Sequence, residues 1–273
     1  MTEASGHLVA DRYRLIEPGA QDGMGRVWRG YDQQLDREVA VREFYLPLGV
    51  APDLQDHMVK LMTREAQVAA RLHHPGIVAI LDAVEDDGRP WIITEFISGP
   101  SLHEVVAREG PMAWDKVVRI GADLAGALAY AHAAGIMHGD LDPFRVLLAG
   151  DRPVIADFGL TRLLDVYYQE TGADTLVGAL ICQPPERLQG QPAQAPADLW
   201  GLGLILYFAL EGRRPFEREE PVGTILAILR EPLSSPLSAG PLAPIIEGLM
   251  AKAPEQRPDA PTAAARLAAL RGH

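Results

Sequence analysis

The chain has 273 residues, 48% of them hydrophobic and 23% charged, with one cysteine and a formal net charge of −12. That length suits one large domain or two modest lobes, and the composition is that of a soluble globular protein. The acidic balance excludes a nucleic-acid or anionic-membrane surface, since neither phosphate backbone nor acidic lipid gains by approaching it, and a lone Cys182 excludes an intramolecular disulfide and a cysteine-built zinc site.

The opening MTEASGHLVADRY has neither the basic start nor the apolar run of a secretion signal, so a cytoplasmic, reducing setting is expected. From about Tyr13 to Ile97, the alternating or β-branched runs REVAVREF, IVAILDAV and PWIITEF predict strands separated by turn residues. One interval, DLQDHMVKLMTREAQVAARL, carries apolar residues at three- and four-residue spacing and predicts a helix. ISGPS, residues 97–101, is the expected joint, because Ser, Gly and Pro fall there between strand-like and helix-like segments. Beyond it helical patterns dominate, as in WDKVVRIGADLAGALAYAHAAG. The most apolar run, LWGLGLILYFAL, is about twelve residues against roughly twenty for a bilayer span and predicts a buried core helix. An α+β chain of two lobes follows, one small and strand-rich, the other larger and helical. The eight histidines form no metal-ligand spacing; LHHPG (72–76) reads as a turn before a strand. Trp28, Trp91, Trp114 and Trp200 read as packing residues, and Cys182 falls on what reads as an exposed loop.

Six motifs then appear in order: a Gly-containing turn AQDGMGRV between strands, VAVR on a strand, Glu65 on a helix, HGD, DFG and PPE. Over roughly residues 11–270 the chain thereby resembles the eukaryotic-like Ser/Thr protein kinases of bacteria, and GMGRVW, LHHPGIV and QRPDA are similar to the actinobacterial members. The resemblance implies a bilobal kinase-like domain with its N-lobe over 11–97 and its C-lobe over 98–270. It also implies where a nucleotide, a metal and a substrate hydroxyl would sit, and there the sequence departs from the family's pattern.

In the glycine-rich loop, whose backbone N–H groups close over phosphates, the three glycine positions read Ala20, Asp22 and Gly25. Asp22 would set a negative charge beside a triphosphate, unless it turns outward to water. Arg42 stands at the phosphate-pairing lysine, where a planar guanidinium does not reproduce a compact ammonium; an Arg42–Glu65 pair that clamps helix to sheet is expected. In HGDLDPFR, His138 and the base position Asp140 remain. Gly139 removes the arginine that reads a phosphorylated activation loop, Asp142 inverts the charge of a lysine, and Arg145 replaces the metal-binding asparagine with a group that only donates. Arg145 is expected to pair with Asp157 of DFG, neutralising the loop without magnesium. Ala179, in GALIC, stands where the family carries a threonine, and Tyr167, Tyr168, Thr171 and Thr175 are candidate phosphate acceptors nearby.

The retained positions have scaffold roles by resemblance. Glu186 and Arg257 form an ion pair, Asp198 anchors the HGD backbone, and His138 and Phe158 stack into the core between lobes. Val27, Ala40 and Leu147 keep the apolar walls of an adenine slot, with Thr94 as gatekeeper and Glu95 to Ile97 as hinge. The losses thus concern phosphate, metal and substrate. The expectation is a pseudokinase: a scaffold or regulatory binding module whose partners are a cognate active kinase or a phosphopeptide-binding domain, with no nucleic acid or membrane contact. No cofactor is expected, with ATP, with or without Mg²⁺, as a weak or structural ligand at most. The alternative is an active Ser/Thr kinase in which Arg42 serves the phosphates, Asp157 holds one Mg²⁺ and Asp140 remains the base.

Overall fold

The computed structural model describes residues 6–22, 25–45, 51–159 and 181–271. They fall into two compact units, the first holding the described residues up to His73 and Val78–Ile97, the second residues 74–77 and those from Ser98 onward.

In the first unit β1 (Leu8–Val9), β2 (Tyr13–Asp22), β3 (Gly25–Asp32), β4 (Arg37–Phe44), β5 (Ile80–Asp86) and β6 (Arg89–Glu95) form one antiparallel sheet in the order β1-β2-β3-β4-β6-β5. Alternation in REVAVREF sends Val39 and Val41 to one face, where they pack with Val9, Tyr13, Leu15, Trp28, Trp91 and Ile93. Helix α1 (Pro52–Ala69) buries Met58, Val59, Met62, Ala66 and Ala69, the stripe its spacing predicts, and packs on β5 and β6. IVAILDAV forms this sheet only from Ile80, because Ile77 pairs instead with Ile155 in the second unit, where Ile155 N donates to Gly76 O at 2.9 Å.

The β3–β4 turn is tied by Asp32, which is fully buried. Its Oδ1 accepts from Arg12 Nε (2.8 Å), Gln34 N (3.1 Å) and Leu35 N (3.3 Å), and Oδ2 from Arg12 Nη2 (2.7 Å). The Arg12 hydrogen bonds and the turn N–H groups hold this carboxyl down at about 2 against the cost of burial.

The second unit opens with α2 (Leu102–Glu109), started by a capping box in which the Ser101 side chain accepts from Glu104 N and the Glu104 carboxylate accepts from Ser101 N. It continues through α3 (Trp114–Ala133), a β7–β8 hairpin (Val146–Ala149, Arg152–Ile155), a short α4 (Pro185–Leu188), α5 (Ala195–Glu211), α6 (Pro221–Arg230), α7 (Ala243–Leu249) and α8 (Ala260–Leu270). Helix α5 contains LWGLGLILYFAL and is buried from Ala197 to Leu210, with α2, α3 and α7 packed around it. A Cβ at Gly201 would lie 2.5 Å from Leu141 O, so the glycine lets α5 press against the HGD loop. Trp28, Trp91 and Trp200 are all buried. No helix among the described residues is long and apolar enough to cross a membrane.

Because the Asp32 carboxyl is depressed in the folded state, its contribution to stability is present above pH about 4, the ordinary carboxylate range, and is lost as pH falls toward about 2. Arg12→Gln should lower Tm at pH 6 and flatten the acid limb, the two curves converging toward pH 2. Melting curves between pH 2 and 6 for both proteins would test this; coincident acid limbs would contradict it.

Candidate active site

The HGD loop is built from a buried carboxylate. Asp198, in the first turn of α5 and fully buried, accepts from His138 N at 2.9 Å through Oδ2 and from Gly139 N at 2.7 Å through Oδ1. His132 Nε2, near the end of α3, lies 2.7 Å from Asp198 Oδ2. Gly139 takes φ 78°, a left-handed conformation that an L side chain adopts only at a cost. His138 Nε2 lies 2.8 Å from Ala156 O and His138 Nδ1 accepts from Asp140 N at 3.2 Å. With both ring nitrogens held, the buried imidazole meets the buried Phe158 ring edge-on, centroids 5.0 Å apart at 74°.

This loop places Asp140, which is buried, and then turns on Asp142. Asp142 Oδ1 accepts from Phe144 N at 2.8 Å and Arg145 N at 3.1 Å, a turn that aspartate followed by proline favours. Burial, together with the nearby Asp140 charge, pushes the Asp142 carboxyl up. The turn aims Arg145 between two carboxylates: Nη1 donates to Asp157 Oδ2 at 2.7 Å and Nη2 to Asp140 Oδ2 at 2.7 Å. Asp140 Oδ1 accepts from Gln183 Nε2 at 2.6 Å, so both of its oxygens have donors. The Arg145–Asp157 pair anticipated from sequence is present; the bridge to Asp140 and the Gln183 contact were not foreseen. Gln183 sits between Cys182 and Pro184 with no periodicity to flag it.

Magnesium requires oxygen ligands in near-octahedral array. Here a guanidinium, which only donates, stands at the metal-binding asparagine's position and is hydrogen-bonded to Asp157, the carboxylate a metal would use, and to the base position Asp140. The donor set as arranged does not fit the ion, and no group of three or more metal-ligating side chains occurs among the described residues.

In the first unit Arg42, on β4 with a side chain only 9% exposed, donates from Nη2 to Asp22 Oδ2 at 2.6 Å. Asp22 is exposed, yet it does not stand alone against a phosphate: it is an ion-pair partner of the arginine at the family's lysine position. Glu65 is half-buried on α1.

A family model described as protein kinase domain matches residues 21–266. The chain belongs to the protein kinase family. Among curated relatives, the probable serine/threonine-protein kinase PknB of Lactococcus lactis is 32% identical over 251 residues, covering 91% of this chain and 39% of that protein. PknB of Mycobacterium tuberculosis is 33% identical over 261 residues, covering 91% of this chain and 41% of that protein, and PknB of Mycolicibacterium smegmatis is 32% identical over 258 residues, covering 92% and 41%. The chain thus spans about two fifths of the length of these relatives. The crystal structure of a mutant Mycobacterium tuberculosis PknI kinase domain superposes with a TM-score of 0.72 over 98% of this chain and 99% of that one, at 24% identity. The fold is the protein kinase fold, with a strand-rich N-lobe and a helical C-lobe.

The remaining kinase positions take their places unit by unit. Val27 and Ala40 lie on β3 and β4, with Ala40 in register with Thr94 of β6. Thr94 Oγ1 donates to Glu95 O at 3.2 Å, and Glu95 Oε1 accepts from Ala79 N at 2.9 Å, fixing the strand end before the half-buried Ile97. Leu147, in the second unit, is half-buried on β7 and bridged to Ser101. Ala20 is exposed on extended β2, where nothing demands glycine. Ala179, Tyr167, Tyr168, Thr171 and Thr175 lie outside the described residues. Cys182 is not on an exposed loop: it is buried, and burial above all pushes its thiol up to about 12, leaving it neutral and unreactive.

The expected scaffold pair is present. Arg257 Nη1 and Nη2 donate to the two Glu186 oxygens at 2.6 and 2.8 Å and to the carbonyls of Pro196 (2.8 Å) and Lys252 (3.2 Å), while Nε donates to Ala251 O at 2.8 Å. Glu186→Ala strands a wholly buried guanidinium, so urea denaturation should show a loss of about 3–5 kcal/mol. A loss below about 1 kcal/mol, the scale of a surface pair, would contradict the role given to it.

Proposed function

We propose that this domain is a pseudokinase, a kinase fold that no longer transfers phosphoryl groups at an appreciable rate and acts as a protein-binding regulatory module. The observation that carries this reading is Arg145 bridging Asp140 and Asp157 at 2.7 Å each. Phosphoryl transfer in this family is almost wholly positioning and charge neutralisation by metal ions, with an aspartate to orient the incoming hydroxyl. A metal would have to displace a guanidinium from its carboxylates, and a hydroxyl would have to reach a buried carboxylate that already accepts from Arg145 and Gln183. The Arg42–Asp22 pair supports the same reading, because the arginine at the phosphate-binding position already carries a counter-charge. A cognate active kinase or a phosphopeptide-binding domain would be the partner.

The second reading is an active Ser/Thr kinase with a rearranged site. The relatives' names support it better than the first reading does, since each is called a serine/threonine-protein kinase. It requires Arg145 to leave Asp140 and Asp157 during turnover.

The deciding experiment measures transfer from labelled ATP to the protein itself and to generic substrates, alongside melting temperature with ATP or ADP in Mg²⁺, in Mn²⁺ and in EDTA. The pseudokinase reading expects no transfer and no metal-dependent rise in Tm. Mg²⁺-dependent transfer that disappears in Asp140→Asn and Asp157→Asn would overturn it in favour of the active kinase. In Arg145→Asn the carboxylates lose the guanidinium, and a Tm rise with nucleotide that depends on Mn²⁺ or Mg²⁺ should appear where wild type shows none. If it does not, Arg145 is not what keeps metal out.

A further inference from the structure

The first unit holds a cavity of about 330 Å³ that none of the kinase motifs lines. That volume lies at the small end of ligand sites and suits one long side chain. Its buried lining is Leu15, Trp91 and Glu43. The strand period that turns Val39 and Val41 into the core of this unit turns Glu43 to the same face, so a carboxylate falls where a hydrophobe would. It is satisfied: Oε2 accepts from Trp28 Nε1 at 3.3 Å and Oε1 from Arg89 Nη1 at 3.0 Å. Trp91, in register with Glu43, is not. Its side chain belongs to a residue only 5% exposed, and its Nε1 is buried with no acceptor among the described residues. A buried indole N–H ordinarily has a partner, so this one calls for an acceptor that enters the cavity Trp91 lines.

The rest of the lining is fixed by its own elements. Strands β5 and β6 meet in a two-residue turn, Asp87 and Gly88 at φ 49° and 69°, between Asp86 and Arg89, which pair in register. Asp86 then ties down the chain around β1: Oδ1 accepts from Ala10 N at 3.1 Å, and Oδ2 lies 3.2 Å from His7 Nε2. The His7 carbonyl in turn accepts from Leu15 N at 2.9 Å. The His7 and Trp91 rings are tilted by 32° with centroids 6.5 Å apart, so they are not closely stacked. Asp87 is exposed and makes no hydrogen bond or ion pair among the described residues. Three carboxylates, those of Glu43, Asp86 and Asp87, thus line the cavity with one guanidinium, that of Arg89, and an indole. Carboxylates beside an indole suit a cation.

We propose that this cavity binds a basic side chain, lysine or arginine, presented by a segment of a partner protein. The cation would lie against the Trp91 indole with Asp86 and Asp87 as counter-charges, and a backbone carbonyl of the same segment would accept from Trp91 Nε1. The net charge of −12 favours the approach of such a partner. A small molecule with a cation alone would leave the indole N–H without its acceptor; a peptide brings both groups. The site shares no residue with the Arg145 bridge and is tested by affinity rather than turnover, so this proposal and the pseudokinase reading can fail separately.

The test titrates the full 273-residue protein with a capped pentapeptide bearing one lysine among glycines, and with the same peptide bearing arginine or norleucine, the uncharged counterpart of lysine. The lysine or arginine form should bind at least about tenfold tighter than the norleucine form, with the preference weakening as salt rises. The stronger of those two identifies the side chain. Asp87→Asn removes an exposed charge while keeping a residue that tolerates the left-handed turn, and should cut the preference by about threefold. Trp91→Phe keeps a ring but removes the N–H, and should weaken all three peptides, because each brings the carbonyl. Should Trp91→Phe fail to fold, Asp87→Asn decides. Equal binding of the norleucine form, no binding of any form, a preference unchanged in Asp87→Asn, or full affinity in a folded Trp91→Phe overturns the proposal.

Discussion

The loop that defines this site hangs on one buried carboxylate. Asp198 reaches from α5 to the backbone N–H groups of His138 and Gly139, and the close approach of α5 at Gly201 sets the distance over which it does so. A fully buried aspartate needs several donors to offset its desolvation, and it takes them from the loop backbone and from His132. Asp140 then follows from the fixed position of His138, the Asp142 turn follows from Asp140, and Arg145 follows from that turn. The family's scaffold chemistry is intact up to the atom before the reacting groups.

Two arginines stand at motif positions that hold an asparagine and a lysine in the family, and each brings positive charge to carboxylates of its own unit. Arg145 supplies it to Asp140 and Asp157 in one unit, and Arg42 is matched by Asp22 in the other. A guanidinium on a tether is always charged and always present, and its planar fork spans two carboxylates at once, which an asparagine cannot do. Paired substitutions of this kind keep buried charge balanced, so the domain can fold around a site without needing a ligand to neutralise it.

Much of this was legible in the residues. Strand and helix periodicity located the sheet, α1 and the buried α5, since these patterns report which face meets a core. The order of HGD, DFG and PPE located Asp140, Asp157 and Glu186, and a donor-only residue at position 145 announced its pairing with Asp157. The carboxylate–proline pair at Asp142 and Pro143 carried the turn signal that aims it. Less legible was every contact made by a residue with no motif: Gln183 on Asp140, His132 on Asp198, and the burial that makes Cys182 inert. IVAILDAV also misled, because a β-branched run does not say which unit its first residues will pair with, and Ile77 pairs away from the sheet that Ile80 enters.

The amino-acid sequence by itself determined the family, the two-unit organisation and the list of positions that depart from the family's motifs, because periodicity and motif order are local properties of a chain. Only the tertiary structure decided what those altered residues touch. Asp22 read alone is a repulsive charge, yet across the sheet from Arg42 it is a counter-ion. Electrostatic meaning depends on distance and burial, and both are set by segments far apart in the chain.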